Sequence, residues 1–283
     1  MGVIELTKFM GAYKTIHQHK TQSDDPFKLV VDPTLYTGSG GVVLALQKVC
    51  QFLKHEKENG DCDSNIEEGE EETKEEALTP VGGHTYEMMK EKYEEALEYN
   101  MNLVKKDKNG SFENNCSSYF KSAHIGIHTI IANDLFDENN LDEAQIKKLK
   151  KVITGGILKP GSLCLDDLNE PEDEILFGTA GYLYVILTLY ERLKRLPAEQ
   201  FEAEITKVET MIKKVVLKLA AQTTQTITFD EEEMDCMMVV YPRYRKNKAK
   251  EYLGAAHGTF GVLQMILQAA IVLPELVIGN GCE

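Results

Sequence analysis

A short motif recurs four times along the chain and constrains its fold more than any other feature of the sequence. Each copy has a small residue, two further residues and a glycine, and about ten mostly apolar residues follow it. The small residue and the glycine of successive copies are Gly38 and Gly41, Ala123 and Gly126, Gly178 and Gly181, and Gly258 and Gly261. The runs that follow are apolar nearly all round, which is typical of helices buried on most sides.

The segments between these copies have a different pattern, because their apolar residues fall on one face of a helix. Residues 84–106, 141–153 and 196–220 follow it, with charged residues on the opposite face. Residues 223–229 are the one candidate strand. Buried and amphipathic helices that alternate along a chain stack as helical hairpins. The sequence therefore predicts an all-α protein, an α/α toroid with apolar helices in an inner ring and amphipathic helices in an outer ring.

The motif glycines have a structural role in this arrangement. A glycine at the start of an inner helix permits a tight turn and lets neighbouring backbones approach each other. We assign this role to Gly38, Gly41, Gly126, Gly178, Gly181, Gly258 and Gly261.

Acidic residues outnumber basic ones, and the net charge at neutral pH is -15. Such a chain is a poor partner for nucleic acid, because it cannot neutralise a row of phosphates. Nine of the sixteen residues at 61–76 are acidic, and Lys74 is their one basic residue. A run of this kind repels itself and buries little, so we expect a disordered surface loop, with an acidic docking segment as the alternative. The loop would interrupt a single domain that spans residues 1–283.

The sequence carries no evident signal for a membrane or for secretion. The longest apolar run, residues 262–273, is too short to cross a bilayer, and residues 1–20 lack the apolar core of a secretion signal. The six cysteines lie far apart and none neighbours a histidine, so free thiols in a reducing compartment are expected. We therefore expect a cytoplasmic protein that does not cross a membrane, with the periphery of the plasma membrane as the alternative location.

Three of the motif copies carry further residues that resemble one protein family. The segments are LYTGSGG at residues 35–41, EILFGTAGYLYVIL at residues 174–187 and YLGAAHGTFG at residues 252–261. Together they resemble the lanthionine synthetase C-like family, and Tyr-Leu-Tyr after Gly181 resembles its eukaryotic members. The resemblance covers residues 35–273 and implies a toroid of seven inner and seven outer helices.

The function implied by this resemblance is the addition of a thiol to a dehydroamino acid. Bacterial members join a cysteine thiol to a dehydrated Ser or Thr, and eukaryotic members bind glutathione and are linked to its addition to proteins. The family holds zinc with one cysteine and a later Cys-His pair, and coordination to zinc deprotonates the attacking thiol. We therefore expect zinc in a complete member, and glutathione or a dehydrated peptide or protein as the partner.

Two residues match the active-site pattern of the family. His257, in GAAHG, would act on a proton in the thiol addition, since an imidazole titrates near neutral pH. The structural alternative is a histidine that bonds backbone groups at a helix start. Glu174 stands where the family carries an acidic residue that faces the cavity, and we predict that it orients or binds substrate. The alternative for Glu174 is a solvated carboxylate.

Two further groups of residues could bind a ligand. Arg243 and Arg245 belong to a basic cluster, residues 241–250, and could bond the carboxylates of glutathione or of an acidic peptide. A solvated loop is the alternative. His124 and His128 lie one helical turn apart, a spacing that can hold a metal, but no further ligand pattern surrounds them. We expect these two histidines to pack rather than to bind metal.

The zinc ligands of the family have no counterpart here, because no cysteine and histidine are adjacent in the sequence. We predict no metal ligand and about four of the family's seven hairpins. We interpret the sequence as the N-terminal part of a longer enzyme that adds thiols with the help of zinc; a truncated paralogue is the alternative. A non-catalytic adaptor that binds glutathione or a protein is the second hypothesis. Another toroid enzyme, such as a glycoside hydrolase, is the third, although Glu174 lacks an evident carboxylate partner.

Overall fold

The computed structural model describes residues 33–35, 38–59, 85–106, 122–138, 140–165, 173–229, 232–237 and 252–278. Within these ranges the chain is helical apart from one small hairpin, which confirms the predicted all-α class. The helices are α1 Ser39–Asn59, α2 Tyr86–Lys106, α3 Ala123–Phe136, α4 Glu143–Lys151, α5 Thr179–Leu193, α6 Ala198–Thr223, α7 Thr259–Val272 and α8 Glu275–Ile278. No helix in the described ranges combines the length and the hydrophobicity that a membrane crossing requires.

The chain divides into two compact units. The first comprises Met1–Pro33 and Thr37–Leu103, and the second comprises Thr34–Tyr36 and Val104–Glu283. The organisation of residues 1–283 as a single domain stays a prediction. The acidic run at residues 61–76 lies outside the described residues.

In the first unit, buried hydrogen bonds join α1 to α2. Ser39 Oγ donates to Asn100 Oδ1 at 2.6 Å, and Gln47 Nε2 donates to the Tyr93 hydroxyl at 3.5 Å. All four side chains are buried, and pairing them offsets the cost of removing polar groups from water. Met89 is also buried, on the same helix as Tyr93.

In the second unit, α5 packs against both α6 and α7. The two kinds of helix predicted from the sequence differ here as expected. The buried side chains of α5 lie around most of its circumference, and they include Tyr182, Leu183, Val185, Ile186, Leu187 and Leu189. Those of α6 recur on one face, at Phe201, Val208, Ile212, Val215 and Leu219. The physical reason is that α5 has neighbours on several sides, whereas α6 keeps a charged face in water.

A π-helical segment, Val152–Leu158, continues α4 and leads into short helical turns at Lys159–Gly161 and Ser162–Leu165. This change of helix type was not predicted. The segment packs against α3, and a Cβ at Gly156 would overlap the imidazole of His128. Glycine at this position therefore lets the histidine ring lie directly against the backbone.

The one predicted strand is present as β1, Thr224–Phe229, and it pairs antiparallel with β2, Glu232–Met237. Thr224 stands opposite Met237, and Phe229 stands opposite Glu232. The second strand was missed because three of its six residues are acidic, and acidic residues are rare in strands.

Candidate active site where two helices begin

Helices α5 and α7 begin in the same way, as the third and fourth copies of the motif require. Gly178 caps α5 with φ -120° and ψ -174°, and Gly258 caps α7 with φ -128° and ψ -178°. The turns before the caps close with the same bond, since Ala180 N donates to the oxygen of Asp173 at 3.2 Å, and Phe260 N donates to that of Leu253 at 3.3 Å. Each position of one turn therefore has an equivalent in the other.

Two glycines of the α7 turn, Gly258 and Gly261, stand where no side chain fits. A Cβ on Gly258 would overlap the carbonyl oxygen of Tyr252, and a Cβ on Gly261 would overlap the carbonyl oxygen of Ala255. These contacts involve backbone, which cannot move aside cheaply. The close approach lets the turn fold back over the first residues of the helix.

His257 and Glu174 meet between the two turns. His257 Nδ1 lies 3.0 Å from Glu174 Oε2, although the two residues are far apart in the sequence. The carboxylate has 0 % of its side chain exposed, whereas the imidazole has 39 % exposed. The pair therefore joins a buried charged group to a ring that reaches the surface of the unit.

Backbone groups hold the carboxylate from its own turn. Leu176 N donates to Glu174 Oε2 at 2.9 Å, and Phe177 N donates to Glu174 Oε1. N–H donors on both oxygens stabilise the ionised form of a buried carboxylate. An ionised carboxylate only accepts hydrogen bonds, so His257 Nδ1 is the donor and Nε2 carries the lone pair of the neutral ring.

Two aromatic rings lie beside the imidazole. The ring centroid of Phe177 lies 5.6 Å from that of His257, with 35° between the ring planes, and the ring of Tyr252 lies at 6.3 Å and 49°. Sequence analysis did not single out either residue. Alignment of the third and fourth motif copies would have drawn attention to Phe177, because it stands one position before Gly178, as His257 stands one position before Gly258.

A model of one protein family, described as lanthionine synthetase C-like protein, matches residues 29–274 of the chain. The chain belongs to the lanthionine synthetase C-like family. The α/α toroid predicted from the motif is the fold of this family. The closure of the ring and the number of hairpins stay predictions, as does the assignment to the eukaryotic type. No solved structure matches the chain.

The lanthionine synthetase C-like family generally binds zinc, and the described part of this chain does not fit that metal. In those ranges, no three side chains of His, Cys, Asp or Glu lie close enough together to hold an ion. Cys50 and Cys164, the cysteines whose side chains are described, are both buried. No step of the reaction proposed below is therefore assigned to zinc.

The remaining candidate residues are two arginines and two histidines. Arg243 and Arg245 fall outside the described residues. His124 and His128 stack on α3 with ring centroids 5.8 Å apart, and His128 Nδ1 donates to the carbonyl oxygen of His124 at 2.7 Å. Burial lowers the pKa of His128 and outweighs the hydrogen bond to His124, which raises it.

Proposed function

We propose that this lanthionine synthetase C-like protein adds the thiol of a cysteine or of glutathione to a dehydroamino acid in a peptide or protein. One observation carries the proposal: the buried carboxylate of Glu174 accepts a hydrogen bond from the partly exposed imidazole of His257. Carboxylate and imidazole in this arrangement form an acid–base pair that can take up a proton and release it again. Family membership supplies the class of reaction.

The reaction transfers one proton from the thiol to the α-carbon of the dehydroamino acid. The thiol sulfur bonds to the β-carbon of the dehydroamino acid, and the electron pair of the carbon–carbon double bond moves to the α-carbon as an enolate. Nε2 of His257 takes up the proton that the thiol loses and delivers it to the α-carbon. No group leaves, so the product has the combined mass of thiol and acceptor.

Glu174 serves this cycle without touching the substrate. Its charge stabilises the imidazolium that exists between the two proton transfers, and its bond to Nδ1 directs the chemistry to Nε2. In the complete family site, zinc would supply a deprotonated thiol. His257 and Glu174, among the described residues of this chain, would handle the proton in that chemistry.

Arg243 and Arg245 complete the proposal as binding residues for the carboxylates of glutathione or of an acidic peptide. A reaction that uses reduced thiols suits a cytoplasmic enzyme or one at the periphery of the plasma membrane. The eukaryotic type and the interpretation of the chain as part of a longer enzyme belong to this proposal as well.

The partner of Glu174 favours this reaction over glycoside hydrolysis. Glycosidases of the common kind need two carboxyl groups that face each other across the scissile bond. Glu174 instead contacts an imidazole and two backbone N–H groups. We therefore prefer proton transfer by His257 to a mechanism of paired carboxylates.

The direct test is incubation of the purified full chain with glutathione and a peptide that contains dehydroalanine, with zinc present, followed by mass spectrometry. We expect a thioether product that forms faster than in buffer, and His257→Gln should reduce the rate to near the uncatalysed level. His55→Gln is the matched control, because it removes an exposed histidine on α1. A rate equal to that in buffer would contradict the catalytic proposal. Glutathione binding without turnover would favour the adaptor.

A further inference from the structure

We propose that Phe177 is a positioning residue for His257, and that its ring, supplied by the preceding repeat, fixes the orientation in which the imidazole presents Nε2. The catalytic consequence rests on the proposed function, but the orientation itself does not. Phe177 would act through His257 rather than on the substrate.

The repeat explains why these two rings meet. Phe177 and His257 occupy equivalent positions, each directly before the glycine that caps its helix. Because α5 and α7 pack against each other, their first turns lie side by side and bring equivalent side chains together. The ring centroids are 5.6 Å apart, within the range in which aromatic rings attract each other.

Phe177 also holds the carboxylate that bonds the imidazole. Its backbone N–H donates to Glu174 Oε1, while its side chain lies against the ring of His257. The carboxylate and the aromatic ring thus belong to one short turn, which fixes their positions relative to each other. His257 receives both its hydrogen-bond acceptor and its ring contact from this turn.

A hydrogen bond alone does not determine the orientation of an imidazole. A ring bonded through Nδ1 can still tilt about that bond, and a half-turn of the ring replaces Nδ1 by a carbon and breaks the bond. A planar ring alongside restricts the tilt, because tilting would separate the two rings. It also obstructs the half-turn, because the imidazole must pass edge-on to the neighbouring ring on the way. The rings of Phe177, at 5.6 Å, and of Tyr252, at 6.3 Å, both reduce the orientations open to the imidazole.

The substitutions Phe177→Leu and Phe177→Tyr distinguish the effect of a planar aromatic ring from the effect of apolar volume. Leucine keeps an apolar side chain without a planar face, and tyrosine keeps the face. Phe52→Leu is the matched control, since Phe52 is 57 % exposed on α1. The readout is the imidazole ¹⁵N spectrum of the full chain labelled at histidine, in which His257→Gln identifies the signal of His257.

In the wild-type chain and in Phe177→Tyr we expect a single neutral tautomer of His257, protonated at Nδ1. In Phe177→Leu we expect exchange between two tautomers, with wild-type signals for the other histidines, and Phe52→Leu should match the wild type. Mixed tautomers in the wild type would overturn the proposal, and so would a single tautomer in Phe177→Leu. If Phe177→Leu does not fold, Phe177→Met provides the same test. A wild-type spectrum that shows both tautomers of His257 would contradict the proposal without any variant.

Kinetics separate this inference from the proposed function. If thiol addition occurs, Phe177→Leu should lower kcat by about tenfold with KM changed by less than about twofold, because substrate contacts persist while proton transfer suffers. If no variant adds a thiol but the tautomer changes as expected, the proposed function fails and the positioning role stands. If the wild type adds a thiol and Phe177→Leu retains both its kcat and its tautomer, the positioning role fails alone.

Discussion

At the scale of the residue, the candidate site depends on a buried carboxylate, and each of its two oxygens accepts a hydrogen bond. Glu174 accepts from two backbone N–H groups of its own turn and from the imidazole of His257. Removal of one acceptor in such a cluster leaves a buried donor without a partner, which is costlier than loss of the bond itself.

We expect Glu174→Gln to lower the rate of thiol addition by about 100-fold, because an amide can turn its N–H toward His257 and reverse the tautomer. The same change should lower the free energy of unfolding by about 1–3 kcal/mol, since an amide offers one oxygen where the carboxylate offers two. Steady-state kinetics and urea unfolding measure the two effects. Glu95→Gln, on an exposed pair with Lys92, is the control and should change neither. Wild-type kinetics in Glu174→Gln would show that the carboxylate has no part in the chemistry.

The glycines of the α7 turn provide a second prediction at this scale. Gly261→Ala should lower the free energy of unfolding by about 1–3 kcal/mol, because its Cβ would overlap the carbonyl oxygen of Ala255. Gly254→Ala, in the same turn, has nothing within 4 Å of its Cβ and should change stability by less than about 1 kcal/mol. Thermal and urea unfolding of the two variants gives the comparison. An equal loss of unfolding free energy in the two variants would mean that the backbone of the turn can shift to accommodate a Cβ at Gly261.

At the scale of the element, α3 and the π-helical segment Val152–Leu158 share a half-buried histidine, His128. The ring of His128 lies against Gly156 and bonds the carbonyl oxygen of His124. Burial, the largest influence, lowers its pKa below the ordinary 6.5; the hydrogen bond to His124 raises it, and the charge of His124 lowers it again. The folded chain therefore keeps His128 neutral at pH values where the unfolded chain protonates it.

The sign of the pH effect follows from this difference. Above pH 6.5 both states carry a neutral His128, and it has no effect on the pH dependence of stability. As the pH falls below 6.5, the unfolded state binds the proton first, so stability is lost until the folded-state pKa is reached. We expect the loss of unfolding free energy between neutral and mildly acidic pH to be smaller in His128→Gln than in the wild type. His55→Gln is the control and should lose as much unfolding free energy on acidification as the wild type. If His128→Gln also loses as much as the wild type, the lowered pKa of His128 is contradicted.

At the scale of the whole molecule, the repeat makes equivalent positions comparable between helices. Leu187 on α5 is 3 % exposed, and its equivalent on α7, Leu267, is 54 % exposed. The difference arises because α5 has α7 beside it and this face of α7 has no such cover among the described residues.

We expect Leu187→Ala to lower the free energy of unfolding by about 2–5 kcal/mol, the ordinary cost of a cavity in a core. Leu267→Ala should cost less than about 1 kcal/mol, because its side chain loses little burial. Urea unfolding of both variants at low protein concentration tests the pair. A cost for Leu267→Ala close to that for Leu187→Ala would mean that the exposed face of α7 is covered in solution.

The local elements could be predicted because each depends on the pattern of its own residues. The amphipathic patterns at residues 84–106 and 196–220 specified α2 and α6 to within a few residues, since the spacing of apolar residues determines which face is buried. The fit of His128 against Gly156 in the π-helical segment Val152–Leu158 could not be foreseen, because it joins residues that are distant in the sequence.

The candidate site shows the same division. His257 and Glu174 could be singled out from the sequence because each stands at a fixed place beside a motif glycine, and the motif resembles that of one family. Their hydrogen bond could not be inferred, nor could the contact of Phe177 with His257. Position along a chain determines which residues begin a helix. The packing of α5 against α7 decides which side chains meet. It brings together residues that are far apart in the sequence, and their contacts select one arrangement of the two turns.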